Sequence, residues 1–192
     1  MSDILRALDP VVEALEELGI PYQIGGSVAS SAYGAARSTL DVDIVARLHS
    51  EHIGQLVDRL GSDYYIDAEM IADALARRSS FNLIHLETML KVDVFIPKDT
   101  PYAREAFGTS RSDTLHVGSH RSFIMATPED VVLNKLEWYR RGGEISDRQW
   151  GAIVGVLKVQ GDQLDMTYLR RWAEQLDLLD LFERALEQRT ER

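Results

Sequence analysis

Residues 22–46 read Tyr-Gln-Ile-Gly-Gly-Ser-Val-Ala-Ser-Ser-Ala-Tyr-Gly-Ala-Ala-Arg-Ser-Thr-Leu-Asp-Val-Asp-Ile-Val-Ala. Tyr22 to Ile24 forms a short apolar strand that runs into the corner Gly25-Gly26-Ser27. An Ala/Ser-rich segment with the length of a short helix follows. Arg37 and Thr39 then lead into a second strand, Asp41 to Ala46. Residues two apart on a strand share a face, so Asp41 and Asp43 point the same way. Val42, Ile44 and Ala46 form the other face. Carboxylates on so apolar a strand need an offset to their charge when they are covered. A divalent cation with bound phosphate is one such offset. The glycine corner suits an anion for a separate reason: without a Cβ the backbone approaches closely, and a following helix start presents free N–H groups. Each piece also has a plainer reading, a tight turn for Gly-Gly and a solvated face for Asp-x-Asp.

The surrounding chain supplies the elements such a corner needs. Ile4, Leu5, Leu8, Val11, Val12, Leu15 and Leu18 make a helical stripe that Pro10 interrupts, which predicts a kink or a fresh start there. Ser50 is placed to cap a helix over 51–60, and Asp67 one over 68–77. Phe81 to Leu86 and Leu90 to Pro97 read as a hairpin. On its second strand Asp93 shares a face with Lys91 and Phe95. A short helix from Thr100-Pro101 and a second hairpin, 113–117 with 122–125, follow. After Ala126 no strand signal remains. Thr127-Pro128-Glu129-Asp130 is an N-cap, a first-turn proline and two acids, which opens a helix to about Arg141. Ser146 caps the next helix, and two shorter ones fill 166–188. The expected class is α/β, with an amino-terminal domain over 1–125 and a helical subdomain over 126–192.

Composition bounds the function. The chain has 192 residues, a net charge of −10 and no cysteine. Disulfides, thiol catalysis and zinc-thiolate sites are thereby excluded. The acidic balance argues against a broad nucleic-acid-coating surface, and no DNA partner is expected. Lys135, Arg140, Arg141 and Arg148 make a local basic cluster in the sequence, whose plainer reading is a solvated helix end. No run approaches a membrane span, and the first residues lack the order of a signal peptide, so a cytoplasmic protein with no membrane partner is expected. There is no phosphate-binding P-loop, dinucleotide fingerprint, zinc-protease helix or nucleophile elbow. His116 and His120 read as solvated hairpin residues, His85 as a hydrogen-bonded core histidine, and Trp138, Trp150 and Trp172 as helix-packing residues.

The arrangement Ile24-Gly25-Gly26-Ser27, a short helix, then Asp41-Val42-Asp43-Ile44 resembles the signature of the nucleotidyltransferase superfamily, the fold of DNA polymerase β and the minimal nucleotidyltransferases. That pattern expects a third carboxylate on a later strand, and Lys91-Val92-Asp93-Val94-Phe95 offers one. The segment from Thr127 to Arg141, with Ile145-Ser146-Asp147-Arg148-Gln149-Trp150, resembles the second half of AbiEii-type nucleotidyltransferase toxins. It departs from them in placing Arg148 after the acid and in lacking a second acid beyond it.

The resemblance implies a mixed β-sheet flanked by helices. It implies an enzyme that moves a nucleotidyl group from a nucleoside triphosphate such as ATP to an acceptor hydroxyl. Asp41, Asp43 and Asp93 would be catalytic and would hold two magnesium ions, or manganese in their place. Gly25, Gly26 and Ser27 would take the triphosphate, with Arg37 and Thr39 beside it and Lys135 and Asp147 contributing from the helical part. The implied acceptor is an RNA 3′ end or a protein side chain, and the toxin likeness implies a cognate antitoxin. Two other readings stay open, a catalytically silent member that binds a nucleotide or protein, and a small-molecule transferase acting on a cationic aminoglycoside, which the acidic charge suits.

Overall fold

A computed structural model of the protein describes residues 3–34, 41–115 and 121–190. The chain divides into two units, Met1–Val28 with Ser38–Arg104, and Ala29–Arg37 with Glu105–Arg192. The 125/126 boundary follows the end of strand signal, whereas these units divide near Val28 and at Arg104.

In the first unit, helix α1 (Asp3–Glu17) precedes β1 (Tyr22–Ile24). The helix passes through Pro10 unbroken, so of the two expected outcomes the fresh start does not occur. An interior proline costs about 3 kcal/mol, but Ala7, Leu8, Val11, Val12 and Leu15 are all buried around it, and that burial outweighs the lost bond. Gly19, at φ +65°, ends the helix, and the Ile20 N–H returns to Leu15 O. Helix α2 (Gly26–Ala32) follows the glycine corner, and β2 (Asp41–Ala46) follows the undescribed segment. Next come α3 (His52–Leu60), β3 (Tyr64–Tyr65), α4 (Ala68–Arg77), β4 (Ser80–His85) and β5 (Lys91–Phe95).

Ser50 does not cap α3. The cap position is Glu51, which makes no side-chain cap bond, and the turn closes instead with the His49 N–H donating to His52 Nδ1. Asp67 does cap α4, accepting from the Met70 N–H at 2.8 Å.

The strands of this unit stand in the order β3-β4-β5-β2-β1. β2 and β5 are parallel, and the other neighbours are antiparallel, so the sheet is mixed. One face is apolar: Val42, Ile44 and Ala46 of β2, Val92 and Val94 of β5, and Phe81 and Leu83 of β4 are all buried. Helix α1 packs against β5 and α3, and α4 against β4. His85 is buried against Tyr64 and hydrogen-bonds Thr88 at 2.8 Å, the core role expected of it.

Helix α5 (Pro101–Thr109) carries the chain from the first unit into the second. There β6 (Arg111–Thr114) and β7 (Ser122–Met125) pair antiparallel, and their turn, with His116 and His120, lies outside the described residues. Helices α6 (Pro128–Arg141), α7 (Asp147–Gln160), α8 (Met166–Gln175) and α9 (Leu179–Thr190) bury Leu133, Leu136, Ile153, Leu157, Leu169 and Phe182 among them. The start of α6 is bound tightly. Thr127 caps it, accepting from the Asp130 N–H. The fully buried Asp130 carboxylate accepts from the hydroxyls of Tyr168 at 2.7 Å, Thr127 at 2.8 Å and Thr109 at 3.2 Å. Glu129 accepts from the Asp165 N–H at 2.9 Å.

Candidate active site

The acids lie on the sheet face opposite the apolar core. Parallel register sets Asp41 beside Lys91 and Asp43 beside Asp93, so four charged residues share one face of two adjacent strands. Antiparallel register places Asn82 of β4 next to Asp93, and Gln23 of β1 next to Val45.

The glycine corner is held against this face. The Gly25 N–H donates to the Asp43 carbonyl at 2.9 Å. Gly26 adopts φ +56°, and a Cβ there would stand 1.6 Å from Asp43 Oδ2. Only glycine lets the backbone pass so close to that carboxylate. The sequence pairing of a Gly-Gly corner with an Asp-x-Asp strand is therefore a direct spatial contact.

Lys91 supplies the positive charge. Its ammonium is 2.8 Å from Asp93 Oδ2 and 3.9 Å from Asp41 Oδ1. The hydrogen bond to Asp93, supported by the charges of Asp93, Asp41 and Asp43, holds the ammonium above the usual lysine range. The Asp41 side chain keeps 52% of its surface exposed, whereas Asp93 keeps 19%.

A magnesium ion asks for hard oxygen ligands and keeps several waters, so a few carboxylates on one face suit it. Asp41, Asp43 and Asp93 are the residues of this face that could supply such oxygens. The acids are not drawn into a ready cage: among the described residues no three His, Asp or Glu side chains are gathered to hold an ion. Asp93 is instead turned to Lys91.

No protein family and no curated protein matches the sequence. Solved structures do match the fold. The antibiotic-resistance factor ANT(2″)-Ia in solution superposes with a TM-score of 0.60 at 13% identity, over 95% of this chain and 97% of that one. Its crystal structure with adenylyl-2″-tobramycin gives 0.58 at 14%, over 97% and 99%. An antigenic nucleotidyltransferase-like protein from Paracoccidioides brasiliensis gives 0.55 at 18%, over 97% and 93%. The chain has a nucleotidyltransferase fold. Within that fold, the likeness of 127–150 to AbiEii-type toxins rests on the sequence alone.

The remaining expected site residues divide in two. Arg37 and Thr39 lie outside the described residues. Lys135 and Asp147 belong to the second unit. Lys135 is 8% exposed on α6, whereas Asp147 is exposed at the start of α7. Two members of the basic cluster are paired with acids. Arg140 reaches Asp180 at 2.5 and 2.6 Å, and Arg141 pairs with Glu137 one turn earlier. Trp172 is buried and Trp150 stacks on Tyr139, as packing residues would, but Trp138 is 51% exposed beside Arg141.

Two residues of the acid face carry more weight than their sequence context signals. Lys91 reads as an ordinary neighbour of Asp93, and only the β2–β5 register brings it to Asp41. Gln23 is buried, and its Oε1 has no hydrogen-bond partner. An unsatisfied buried acceptor is costly. Nothing in Tyr-Gln-Ile distinguishes that side chain before the strands are paired.

Proposed function

We propose that the protein is a magnesium-dependent nucleotidyltransferase. The observation that carries the reading is the packing of Gly26 against Asp43 on a face that also presents Asp41 and Asp93. Asp41, Asp43 and Asp93 would hold the divalent ions, which supply charge neutralisation at the phosphates and at the attacking oxygen when bound. Gly26 and Ser27 would receive the β- and γ-phosphates through backbone N–H groups and the Ser27 hydroxyl, while the Gly25 N–H holds the corner on the Asp43 carbonyl. On the sequence resemblance alone, Arg37, Thr39, Lys135 and Asp147 would add contacts to the triphosphate.

The acceptor oxygen forms a bond to the α-phosphorus as the bond to the β-phosphate oxygen breaks, and pyrophosphate leaves. The acceptor hydroxyl proton goes to the Asp93 carboxylate. Lys91 steadies that carboxylate before the triphosphate arrives.

For the acceptor, two observations favour a small cation. The chain carries a net charge of −10, which draws a polycation toward it. The fold also matches, over nearly the whole of both chains, a protein solved with adenylyl-2″-tobramycin. An RNA 3′ end or a protein side chain, with an antitoxin as partner, is the reading that the sequence of 127–150 favours. The test incubates the protein with magnesium, each of four α-labelled nucleoside triphosphates, and separately an aminoglycoside panel, tRNA and total protein. Label on one acceptor, lost in Asp43→Asn, is the expected result. Equal transfer by Asp43→Asn would refute the assignment of the metal ligands.

A further inference from the structure

A cavity lies in the first unit, at the other end of the parallel strands. Asp43 and Arg47 are four residues apart along β2 and its exit, which is about 13 Å at strand rise. The cavity has a volume of about 730 Å³ and opens where β2 and β5 run out toward α3 and α5. Its floor is apolar, from Ile53 of α3, Leu75 of α4 and Ile96 after β5.

Its charge is opposite to that of the whole protein. Arg47, Arg78, Lys98 and Arg104 all line it, against the single carboxylate of Asp99. They come from four separate segments, so no one helix face accounts for their meeting. In a chain of net charge −10, four cations around one cavity is a local inversion. Arg104 bonds Asp99 at 2.5 Å. Arg78 ends α4 at φ +48°, a left-handed position that glycine fills with less strain. Its guanidinium crosses to the Pro97 carbonyl at 3.2 Å, which fixes it at the wall between α4 and the β5–α5 loop.

Guanidinium groups pair with phosphate through two parallel N–H bonds, and a lysine adds a compact point charge. An apolar floor beneath such a rim accepts an organic body. We infer that this cavity binds a small organic phosphate of about nucleotide size, at a site separate from the acid face. The assignment does not depend on the transferase reading, because none of these residues belongs to the acid face or the glycine corner. Ser50 supplies a hydroxyl at the same rim.

The test uses the full chain, isotope-labelled, in EDTA so that metal-dependent binding at the acid face is silent. AMP and inorganic tripolyphosphate are titrated separately and amide shifts are followed. Shifts should gather at 47–50 and 96–99, with AMP also moving the Ile53 and Leu75 signals. Arg47→Ala/Lys98→Ala should weaken both probes about tenfold or more, since each charge-assisted bond is worth roughly 1.5–3 kcal/mol. Both side chains are exposed, so the variant should keep the wild-type melting temperature. Asp43→Asn should bind the probes as the wild type does. Shifts confined to the Gly25–Ser27 corner, or unchanged affinity in the double variant, would overturn the assignment. So would an oligoribonucleotide that binds at 47–50 and 96–99 while AMP and tripolyphosphate do not, since that pattern belongs to a nucleic-acid track.

Discussion

Asp130 at the start of α6 is wholly buried and accepts from three hydroxyls. Asp41, by contrast, keeps half its side-chain surface in solvent, and Asp93 leans on the single ammonium of Lys91. Both sets sit in short acidic motifs, Pro-Glu-Asp and Asp-x-Asp. Their surroundings divide them. An acid whose lone pairs are filled by fixed protein donors has a structural task, and adding a ligand would break bonds already made. Acids that share a lysine with 42% of its side-chain surface exposed can exchange it for another cation. The degree to which donors are fixed thus separates a carboxylate that holds helices together from one that can do chemistry.

The sharpest way to break this comparison is at Asp130. Asp130→Ala removes the acceptor of the Tyr168 and Thr127 hydroxyls, and should destabilise the protein by about 3 kcal/mol. A denaturant melt reads this, and a loss under about 1 kcal/mol would mean that the buried network is not structural. At the acid face the effect should fall on activity. Gly26→Ala drives a Cβ into the Asp43 carboxylate and should lower nucleotidyl transfer about a hundredfold, on the scale of losing one electrostatic contact in a site. Steady-state rates at saturating triphosphate would show it.

Alkali probes the second unit again. Burial, and then the nearby Asp113 charge, push the Tyr33 hydroxyl up to about 12. That hydroxyl donates to the Ala126 carbonyl at 2.9 Å. Its folded value is raised, so its contribution to stability is complete below the unfolded value near 10 and is lost as pH climbs from there to about 12. Melting temperature should hold up to about pH 10 and then fall, and less steeply in Tyr33→Phe.

The smallest effect is the most specific. Lys91→Met removes the cation that competes for Asp93, and should tighten manganese binding about three- to tenfold, roughly 1 kcal/mol. Free manganese measured by electron paramagnetic resonance would report it. Weaker binding in that variant would mean that Lys91 helps to hold the site open rather than competing for it.

Much of the fold is legible in the chain because its signals are local. The glycine corner, the Asp67 and Thr127 caps and the alternation of β2 and β5 each act within a few residues. Pro10 does not restart the helix because burial of Leu8, Val11 and Leu15 is a tertiary term that overrides the local cost. Ser50 misleads because the helix starts later, at His52, with Glu51 as a cap residue that makes no side-chain cap bond. The acid face is legible in its members, since Asp41, Asp43 and Asp93 are readable from pattern. Its charge balance is not, because Lys91 meets Asp41 only through the parallel pairing of strands separated by some fifty residues. The cationic cavity is invisible in sequence for the same reason: Arg47, Arg78, Lys98 and Arg104 are brought together only by the fold.

One measurement tests the central claim most directly: transfer of label from α-labelled nucleoside triphosphates, with magnesium, by the wild type and by Asp43→Asn. The acid face as read here predicts labelled acceptor and released pyrophosphate from the wild type. It predicts a loss of about a thousandfold in the variant, the scale of several kcal/mol of transition-state stabilisation, with the melting temperature unchanged. Equal label from both proteins, or none from a wild type that binds triphosphate tightly across the whole acceptor panel, would contradict it.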